Sequence, residues 1–272
     1  GAMLADVDYV IMGAGVPREI PRVLTEYASH RTGHITIDVI NSTTTHRAAL
    51  NPVTMLGDEL PPLRRPNFLA IVTLHVLADY LNRDPEIRPD GFIVEGPTAG
   101  GHSSPPRGKV ALDEAGDPIY GPRDNADLEK IARVGLPFWL AGGFASPEKV
   151  AEARAAGAAG VQTGTLFALA DESGLTQDLR SQLHAELDAG TLVVRNDPRA
   201  SPTGFPFKVA QLPGTLSEEP VYQERERICD LGYLRMPVER EDKSITYRCP
   251  SEPLTPYLRK CGTEEETVGR KC

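Results

Sequence analysis

Short apolar runs alternate with helical patterns over the first 195 residues of the chain. Five runs that are rich in β-branched and aromatic residues and are bounded by turn residues are predicted to be strands: 8–12, 68–73, 91–95, 138–141 and 160–164. Their nearly continuous apolar content is typical of strands that are buried on both faces of a parallel sheet. The pattern therefore predicts an α/β fold built from βα units.

Helical spacing of apolar residues is found between and beside these strands. The predicted helices cover residues 17–29, 75–82, 126–135, 146–157 and 175–190. The fourth begins with Ser146 as N-cap, Pro147 at the first helical position and Glu148 in the first turn. Strands that alternate with helices form either an open doubly wound sheet or a closed eight-stranded barrel.

Two parts of the chain depart from this alternation. In residues 34–66 one strand-like run is followed by polar and then proline-rich sequence, which predicts an insertion with an extra strand or hairpin. Beyond about Asn196 the sequence is rich in turn residues. We therefore expect residues 1–195 to form the βα domain, with the insertion at about 34–66. Residues 196–272 are expected to be an irregular extension that packs on it.

Glycine-containing turns follow the last three predicted strands. The carboxyl ends of parallel strands lie at one edge of a sheet, where ligands bind. Gly142 and Gly143 permit close backbone approach, and the helix that follows offers free N–H groups to an anion. Gly164 and Thr165 repeat this arrangement one βα unit later. The alternative interpretation is that these glycines only make tight turns. Two consecutive turns of this kind predict a phosphate site and favour the barrel. A count of five strands, in contrast, suits the open sheet.

His102 is the candidate for acid–base chemistry. It follows Gly100 and Gly101 beyond the strand 91–95, and the two glycines allow the backbone to lie against a flat ligand. An imidazole titrates near neutral pH and suits proton abstraction. The alternative is an exposed loop histidine, but such a loop needs no paired glycines at a strand end.

The other five histidines are weaker candidates. His75 follows the strand 68–73 and could face the same edge of the sheet. Solvated surface positions explain the remaining four, which are His30, His34, His46 and His184.

Composition narrows the function classes. The net charge is -9 and no run is rich in Lys or Arg, which argues against a nucleic-acid-binding surface. No apolar stretch approaches the roughly 20 residues that span a bilayer, and no secretory signal is recognisable, so a cytoplasmic location is expected. Four widely spaced cysteines favour reduced structural thiols, although a metal site among them stays open: Cys229, Cys249, Cys261 and Cys272.

Three segments carry a resemblance to a known family. In their order and spacing, EGPTAGGH (95–102), PFWLAGG (137–143) and GVQTGTLF (160–167) resemble the nitronate monooxygenase (2-nitropropane dioxygenase-like) family of FMN-dependent barrels. The likeness runs from about residue 7 to residue 169. The tail segments SPTGFPFK, CDLGYLR and GRKC look like one longer subgroup of that family.

The resemblance implies a (β/α)8 TIM barrel with FMN at its C-terminal face. His102 matches the family's catalytic histidine, which takes the α-proton from a nitroalkane or orients the nitronate. Electrons then pass to FMN, and O2 reoxidises the flavin. Glu95 stands where the family often has a glutamine near the flavin ring. The other implied cofactor contacts are Gly100 and Gly101 against the cofactor, and Gly142, Gly143, Gln162, Thr163, Gly164 and Thr165 around the ribityl phosphate.

Family members begin with three further strands that have no counterpart in this sequence. The resemblance therefore implies that the five predicted strands are about the fourth to the eighth of a barrel. We expect the chain to be one piece of a longer protein, completed by those strands or by a homo-oligomer partner, because two open sheet edges favour aggregation.

Three alternatives to nitronate oxidation stay open. An FMN-dependent NAD(P)H reductase of the enoyl-acyl carrier protein or quinone type would have the same sequence features. A barrel without flavin that binds a phosphorylated metabolite would keep both glycine turns. A non-catalytic remnant would have no activity even with excess FMN. The sequence fixes neither the physiological substrate nor the oligomeric state.

Overall fold

The structure is a computed structural model that describes residues 1–13, 15–226, 232 and 234–271. Its strands are β1 (Tyr9–Met12), β2 (Gly33–Ile37), β3 (His46–Leu50), β4 (Asn67–Val72), β5 (Gly91–Glu95), β6 (Phe138–Ala141), β7 (Gly160–Gln162), β8 (Val194–Asp197), β9 (Phe207–Ala210), β10 (Met236–Glu239) and β11 (Ile245–Arg248). Its helices are α1 (Ile20–Ala28), α2 (Pro52–Leu56), α3 (His75–Arg83), α4 (Leu128–Arg133), α5 (Pro147–Ala155), α6 (Thr165–Ala168), α7 (Gln177–Asp188), α8 (Glu219–Glu224), α9 (Leu254–Arg259) and α10 (Glu264–Thr267).

The described residues divide into two compact units. The first comprises the described parts of 1–38, 44–98 and 123–162, and the second those of 39–43, 99–122 and 163–272. Among the described residues, no helix combines the length and the apolar composition that crossing a bilayer requires.

A five-stranded parallel sheet forms the centre of the first unit. Its strand order is β1-β4-β5-β6-β7, so each parallel strand joins the edge left by the previous one. A doubly wound sheet would reverse its order at a switch point. The predicted α/β class is therefore confirmed, with a parallel half-barrel sheet. The assignment of the strands as the fourth to the eighth of a barrel stays a prediction.

One face of this sheet is covered by helices. Successive strand residues point to opposite faces of the sheet. The set that includes Phe68 and Phe92 packs with residues of α1, α3, α4 and α5 in one buried cluster. Its largest fully buried members are Phe68, Phe92, Leu81 and Ile131. Burying each such side chain stabilises the fold by roughly 1.5–3 kcal/mol. All four helices contribute to the same side of the sheet, as in a barrel.

The opposite face is concave and is filled by strand residues alone. Leu69, Ile93 and Ala141 are buried there, with Ile71 and Trp139 packed against them. The rings of Tyr9 on β1 and Trp139 on β6 meet edge to face, with their centroids 5.9 Å apart. Three strand spacings, roughly 14 Å in a flat sheet, separate these strands. The contact therefore shows that the sheet curls toward this face.

Two glycines make room for the indole ring on the concave face. A Cβ atom added at Gly91 would lie 3.0 Å from Cζ3 of Trp139, and one at Gly160 would lie 2.9 Å from its Cδ1. Real Cβ atoms essentially never come within 3.0 Å of another atom, so the ring occupies the space above Gly160. At Gly91 the ring shares that space with the Pro137 carbonyl oxygen, which lies 2.7 Å from the added Cβ. Glycine is thus required on the strands that flank β6.

Residues 34–66 form a separate hairpin rather than part of the sheet. β2 and β3 pair antiparallel, from Gly33 opposite Leu50 to Ile37 opposite His46. The short α2 follows, and the side chain of Asn51 caps it by accepting hydrogen bonds from the backbone of Val53 and Thr54.

The second unit contains more regular structure than the turn-rich sequence predicts. Two antiparallel pairs, β8 with β9 and β10 with β11, lie in the region that we expected to be irregular. Each of these strands has four residues that include charged or polar side chains, unlike the apolar runs of β1 and β6, so no strand pattern is recognisable. The packing of residues 196–272 on the barrel stays a prediction.

Two of the four cysteines lie within the described residues. Cys249 is buried and Cys261 is exposed, and neither forms a disulfide among the described residues. Cys229 and Cys272 lie outside the described residues.

Candidate active site

Four of the predicted cofactor residues meet at the carboxyl edge of the parallel sheet in the first unit. Glu95 on β5 lies opposite Ala141 on β6, and Ala141 lies opposite Gln162 on β7. Residues in register on parallel strands point to the same face, so Glu95 and Gln162 project from the concave face together with Ala141. Gly142 and Gly143 follow directly. This is the edge at which parallel α/β sheets bind their ligands.

Glu95 is a half-buried carboxyl group. Burial raises its pKa, and no other cause contributes to the shift. A desolvated carboxylate without a positive neighbour favours its neutral form, which can donate as well as accept a hydrogen bond.

Gln162 presents an unpaired acceptor at the same edge. Its Oε1 atom is buried, and among the described residues it has no hydrogen-bond partner. A buried polar atom without a partner costs roughly 1–3 kcal/mol. An N–H or O–H donor of a ligand would satisfy it, so this part of the site fits a bound group.

The turn after β6 has the backbone geometry of an anion site. Gly142 and Gly143 have φ angles of 94° and 81°, in the left-handed region that favours glycine. Thr98, in the turn after β5, donates its hydroxyl to the Gly142 carbonyl at 3.1 Å. Within the described part of the chain, the backbone N–H groups of Gly143 and Phe144 have no partner. The turn leads into α5, where the predicted N-cap Ser146 accepts from the Lys149 N–H.

His102 belongs to the second unit, where β9 fixes its backbone. It lies opposite Phe207 in an antiparallel bridge. Ser103 N–H donates to the Pro206 carbonyl at 2.8 Å, and Lys208 N–H donates to the Gly101 carbonyl at 2.9 Å. His102 is exposed to solvent. The hydrogen-bond ladder between residues 101–103 and β9 nevertheless fixes its backbone, unlike that of a histidine in a flexible loop.

The imidazole ring also has fixed contacts. Its Nε2 atom lies 2.8 Å from the hydroxyl of Ser201, which is 2% exposed. The ring meets Phe207 edge to face, with centroids 4.7 Å apart. Partial burial lowers the pKa of His102. The neutral ring therefore persists to lower pH than in a free histidine.

Ser201 and Phe207 have no assigned role in the sequence analysis. Ser201 is 99 residues from His102 in the chain, and no short-range spacing connects them. The only signal was the resemblance of SPTGFPFK (201–208) to a family subgroup, which marks the segment but not its contact with His102.

The remaining predicted cofactor residues lie in the second unit. A Cβ atom added at Gly100 would lie 3.5 Å from the hydroxyl oxygen of Thr165, so these two positions are adjacent. Gly164 is the N-cap of the four-residue α6, and Thr163 precedes it. A joint phosphate site of this turn with Gly142 and Gly143 stays a prediction.

His75, the second histidine candidate, lies at the start of α3, beyond the carboxyl end of β4. Its Nδ1 atom is buried without a partner in the described residues. The four histidines expected at the surface have local hydrogen-bond partners instead, namely Pro61 for His30, Arg22 for His34, Thr44 for His46 and Leu169 for His184.

Comparisons with known proteins identify the family of the chain. The protein-family model described as Nitronate monooxygenase matches residues 6–202. A curated relative from Mycobacterium tuberculosis, (3aS,4S,5R,7aS)-5-hydroxy-7a-methyl-1-oxo-octahydro-1H-indene-4-carboxyl-CoA dehydrogenase, is 32% identical over 121 residues, which are 44% of this chain and 29% of the relative.

Two solved structures are also similar. FabK from Thermotoga maritima has a TM-score of 0.45 and 21% identity, over 82% of this chain and 52% of its own. Nitroalkane oxidase from Streptomyces ansochromogenes has a TM-score of 0.38 and 23% identity, over 54% of this chain and 38% of its own. The chain thus spans about half, or less, of the length of these proteins. Because the family match covers more than half of the chain, the chain belongs to the nitronate monooxygenase family.

Proposed function

We propose that this chain is part of an FMN-dependent oxidoreductase that oxidises alkyl nitronates or nitroalkanes with O2. Membership of the nitronate monooxygenase family supports the flavin-dependent chemistry. The observation that carries the proposal is the buried Oε1 of Gln162, which has no hydrogen-bond partner among the described residues and lies beside two left-handed glycines at the carboxyl edge of the half-barrel.

The residues at that edge fit parts of FMN. Gln162 would accept a hydrogen bond from the flavin or its ribityl chain, and the N–H groups after Gly142 would face the phosphate. Glu95 would lie near the ring. Further contacts are proposed for Gly100, Gly101, Gly143, Thr163, Gly164 and Thr165. When bound, FMN supplies the two-electron acceptor that O2 reoxidises.

His102 would be the catalytic residue. Its lowered pKa keeps the imidazole neutral at neutral pH, which a proton acceptor requires. With a neutral nitroalkane it takes the α-proton. With a preformed nitronate it orients the anion. The contacts with Ser201 and Phe207 hold the ring in place for either role.

A dehydrogenase or NAD(P)H-dependent reductase that acts on an acyl thioester is the second candidate. The observation that favours it is the 32% identity to a relative whose name states a carboxyl-CoA dehydrogenase. Both candidates use a flavin and a proton-transferring side chain, so the same residues would serve either one.

Assays on the full-length protein as purified separate the two candidates. We expect a flavin absorption spectrum and nitronate-dependent O2 consumption. His102→Ala should retain the flavin and lose the oxidation of neutral nitroalkanes, whereas His184→Ala, an exposed histidine on α7, should behave like the parent. Bleaching by NADPH without nitronate-dependent O2 consumption would favour the reductase. Unchanged oxidation of neutral nitroalkanes by His102→Ala would reject His102 as the base.

A further inference from the structure

We propose that Ser201 is a positioning residue that holds Nε2 of His102 and thereby makes Nδ1 the nitrogen that takes the substrate proton. This inference rests on the proposed function, because it assigns the base within the same site. It concerns only residues of the second unit, whose contacts are described above.

The surroundings of the Ser201 hydroxyl limit its hydrogen bonds. Its oxygen accepts from the Thr203 backbone N–H at 3.3 Å and lies 2.8 Å both from Nε2 of His102 and from the Thr203 hydroxyl. A hydroxyl has one proton and two lone pairs. Since the backbone N–H takes one lone pair, the proton and the second lone pair are shared between the imidazole and Thr203.

Two arrangements of the protons satisfy these hydrogen bonds when the imidazole is neutral. In the first, Ser201 donates to Nε2, and the ring proton is on Nδ1. In the second, Nε2–H donates to Ser201, and Ser201 donates to Thr203, whose side chain is exposed and can give its own proton to water. Only the second arrangement leaves the Nδ1 lone pair free to act as a base.

The second arrangement also suits proton uptake. When the substrate C–H bond breaks, its electron pair stays on the nitronate and the proton moves to Nδ1, which gives an imidazolium. The hydrogen bonds from Nε2–H to Ser201 and from Ser201 to Thr203 then persist without rearrangement. The first of them becomes charge-assisted and stronger. A preorganised partner of this kind stabilises the product of proton transfer at no cost in reorganisation.

The ring has no carboxylate partner among the described residues. A charged group of the same ladder is Lys208 on β9, which donates Nζ–H to the Ser103 hydroxyl and is attracted electrostatically by Asp117. A hydroxyl orients the imidazole without adding a negative charge, whereas a carboxylate would raise the pKa of His102. Orientation by Ser201 is therefore compatible with a base that is neutral at neutral pH.

Nuclear magnetic resonance of histidine labelled with ¹⁵N tests the assignment without turnover. The signal of His102 is identified by its loss in His102→Ala. In the parent we expect the tautomer with the proton on Nε2. In Ser201→Ala we expect a mixture of tautomers and a lower pKa of His102, because the imidazolium loses its acceptor. Ser201→Thr should restore both, and Ser251→Ala, which removes another buried hydroxyl, should change neither.

Kinetics then connect the tautomer to catalysis. With a neutral nitroalkane, Ser201→Ala should lower kcat by about tenfold or more, with a smaller change in KM. A parent tautomer with the proton on Nδ1 overturns the proposal even if Ser201→Ala does not fold. An unchanged tautomer and pKa in folded Ser201→Ala overturns it as well. Because these spectra need no substrate, a protein that does not oxidise nitronates would refute the proposed function and leave this result readable.

Discussion

At the residue scale, the carboxyl edge of the sheet holds two polar groups that the described residues leave incompletely stabilised. Glu95 has a raised pKa because of burial, and Gln162 has a buried acceptor without a donor. Both project from the concave face in one row with Ala141. Polar groups that lower stability in this way are typical of ligand sites, where the ligand supplies the missing partner.

Glu95→Gln should stabilise the flavin-free protein at neutral pH. The folded state raises the pKa of Glu95, so the carboxyl contributes stability below its unfolded pKa and loses it as pH rises through the folded pKa. Thermal unfolding at pH 4 and pH 8 measures the effect. Little difference is expected at pH 4, and at pH 8 a gain of about 1 kcal/mol would raise Tm by roughly 2–4 °C.

The control for this change is Glu172→Gln, which alters an exposed carboxyl and should leave Tm nearly unchanged at both pH values. If Glu95→Gln gives the same Tm as the parent at pH 8, the burial of Glu95 costs nothing and the pH argument is wrong.

Gln162→Leu should separate stability from flavin binding. Removing a buried acceptor that has no partner in the described part of the chain should leave the flavin-free protein at least as stable as the parent. The affinity for FMN should fall about tenfold, since one hydrogen bond is worth roughly 0.5–1.5 kcal/mol. Thermal unfolding and a flavin titration measure the two effects, with Gln177→Leu on the exposed start of α7 as the control. Unchanged FMN affinity would place Gln162 outside the cofactor contacts.

The conformation of single residues could be predicted from the sequence only where the signal lies within a few neighbouring residues. The glycines after β6 and the Ser146 cap follow from turn and helix chemistry within a few residues. The contact between Ser201 and His102 could not be predicted, because it depends on how two distant segments pair. The lack of a partner for the Gln162 acceptor among the described residues could not be predicted either, because it depends on burial, which the sequence pattern does not specify.

At the element scale, the sheet was predictable because most of its strands are apolar runs that are rich in β-branched and aromatic residues. β5 and β6 have the predicted bounds, and β7 ends at Gln162 rather than at Gly164. The concave curvature was not predictable from any single strand. It depends on Trp139 packing over glycines of the two neighbouring strands and reaching Tyr9 on β1.

Gly160→Ala tests that arrangement. The added Cβ would lie 2.9 Å from Cδ1 of Trp139 and force the ring to move. We expect a loss of about 1–3 kcal/mol in the free energy of unfolding, measured in urea, and a shifted fluorescence maximum. Trp139 is the only tryptophan in the chain, so the spectrum reports this ring alone. Gly96→Ala, with nothing near its added Cβ, should change neither; equal effects from both variants would contradict the packing argument.

At the scale of the whole molecule, β1 is the outer strand of the sheet, and among the described residues no strand pairs with its free edge. Tyr9 and Ile11 on this strand are 49% and 45% exposed. An exposed apolar strand edge is a template for pairing with another chain. Completion of this edge by further strands or by a second copy of the chain stays a prediction.

Ile11→Lys should reduce self-association. A lysine on an edge strand opposes pairing with a second edge because both would carry the charge. Sedimentation velocity over a range of protein concentrations measures the change, and the parent should associate as concentration rises. Val76→Lys, which replaces an exposed apolar residue on α3, is the control and should associate like the parent. A parent that stays monomeric throughout would contradict the prediction.

The hydrogen bond between His102 and Ser201 has a consequence for the order in which the chain matures. The two residues are 99 positions apart, so the histidine leaves the ribosome well before its partner is synthesised. Non-local pairings of this kind form late because the intervening chain must first be closed into a loop. In a nascent polypeptide, the parallel strands of β1 to β7 would thus be synthesised before the imidazole acquires its serine partner.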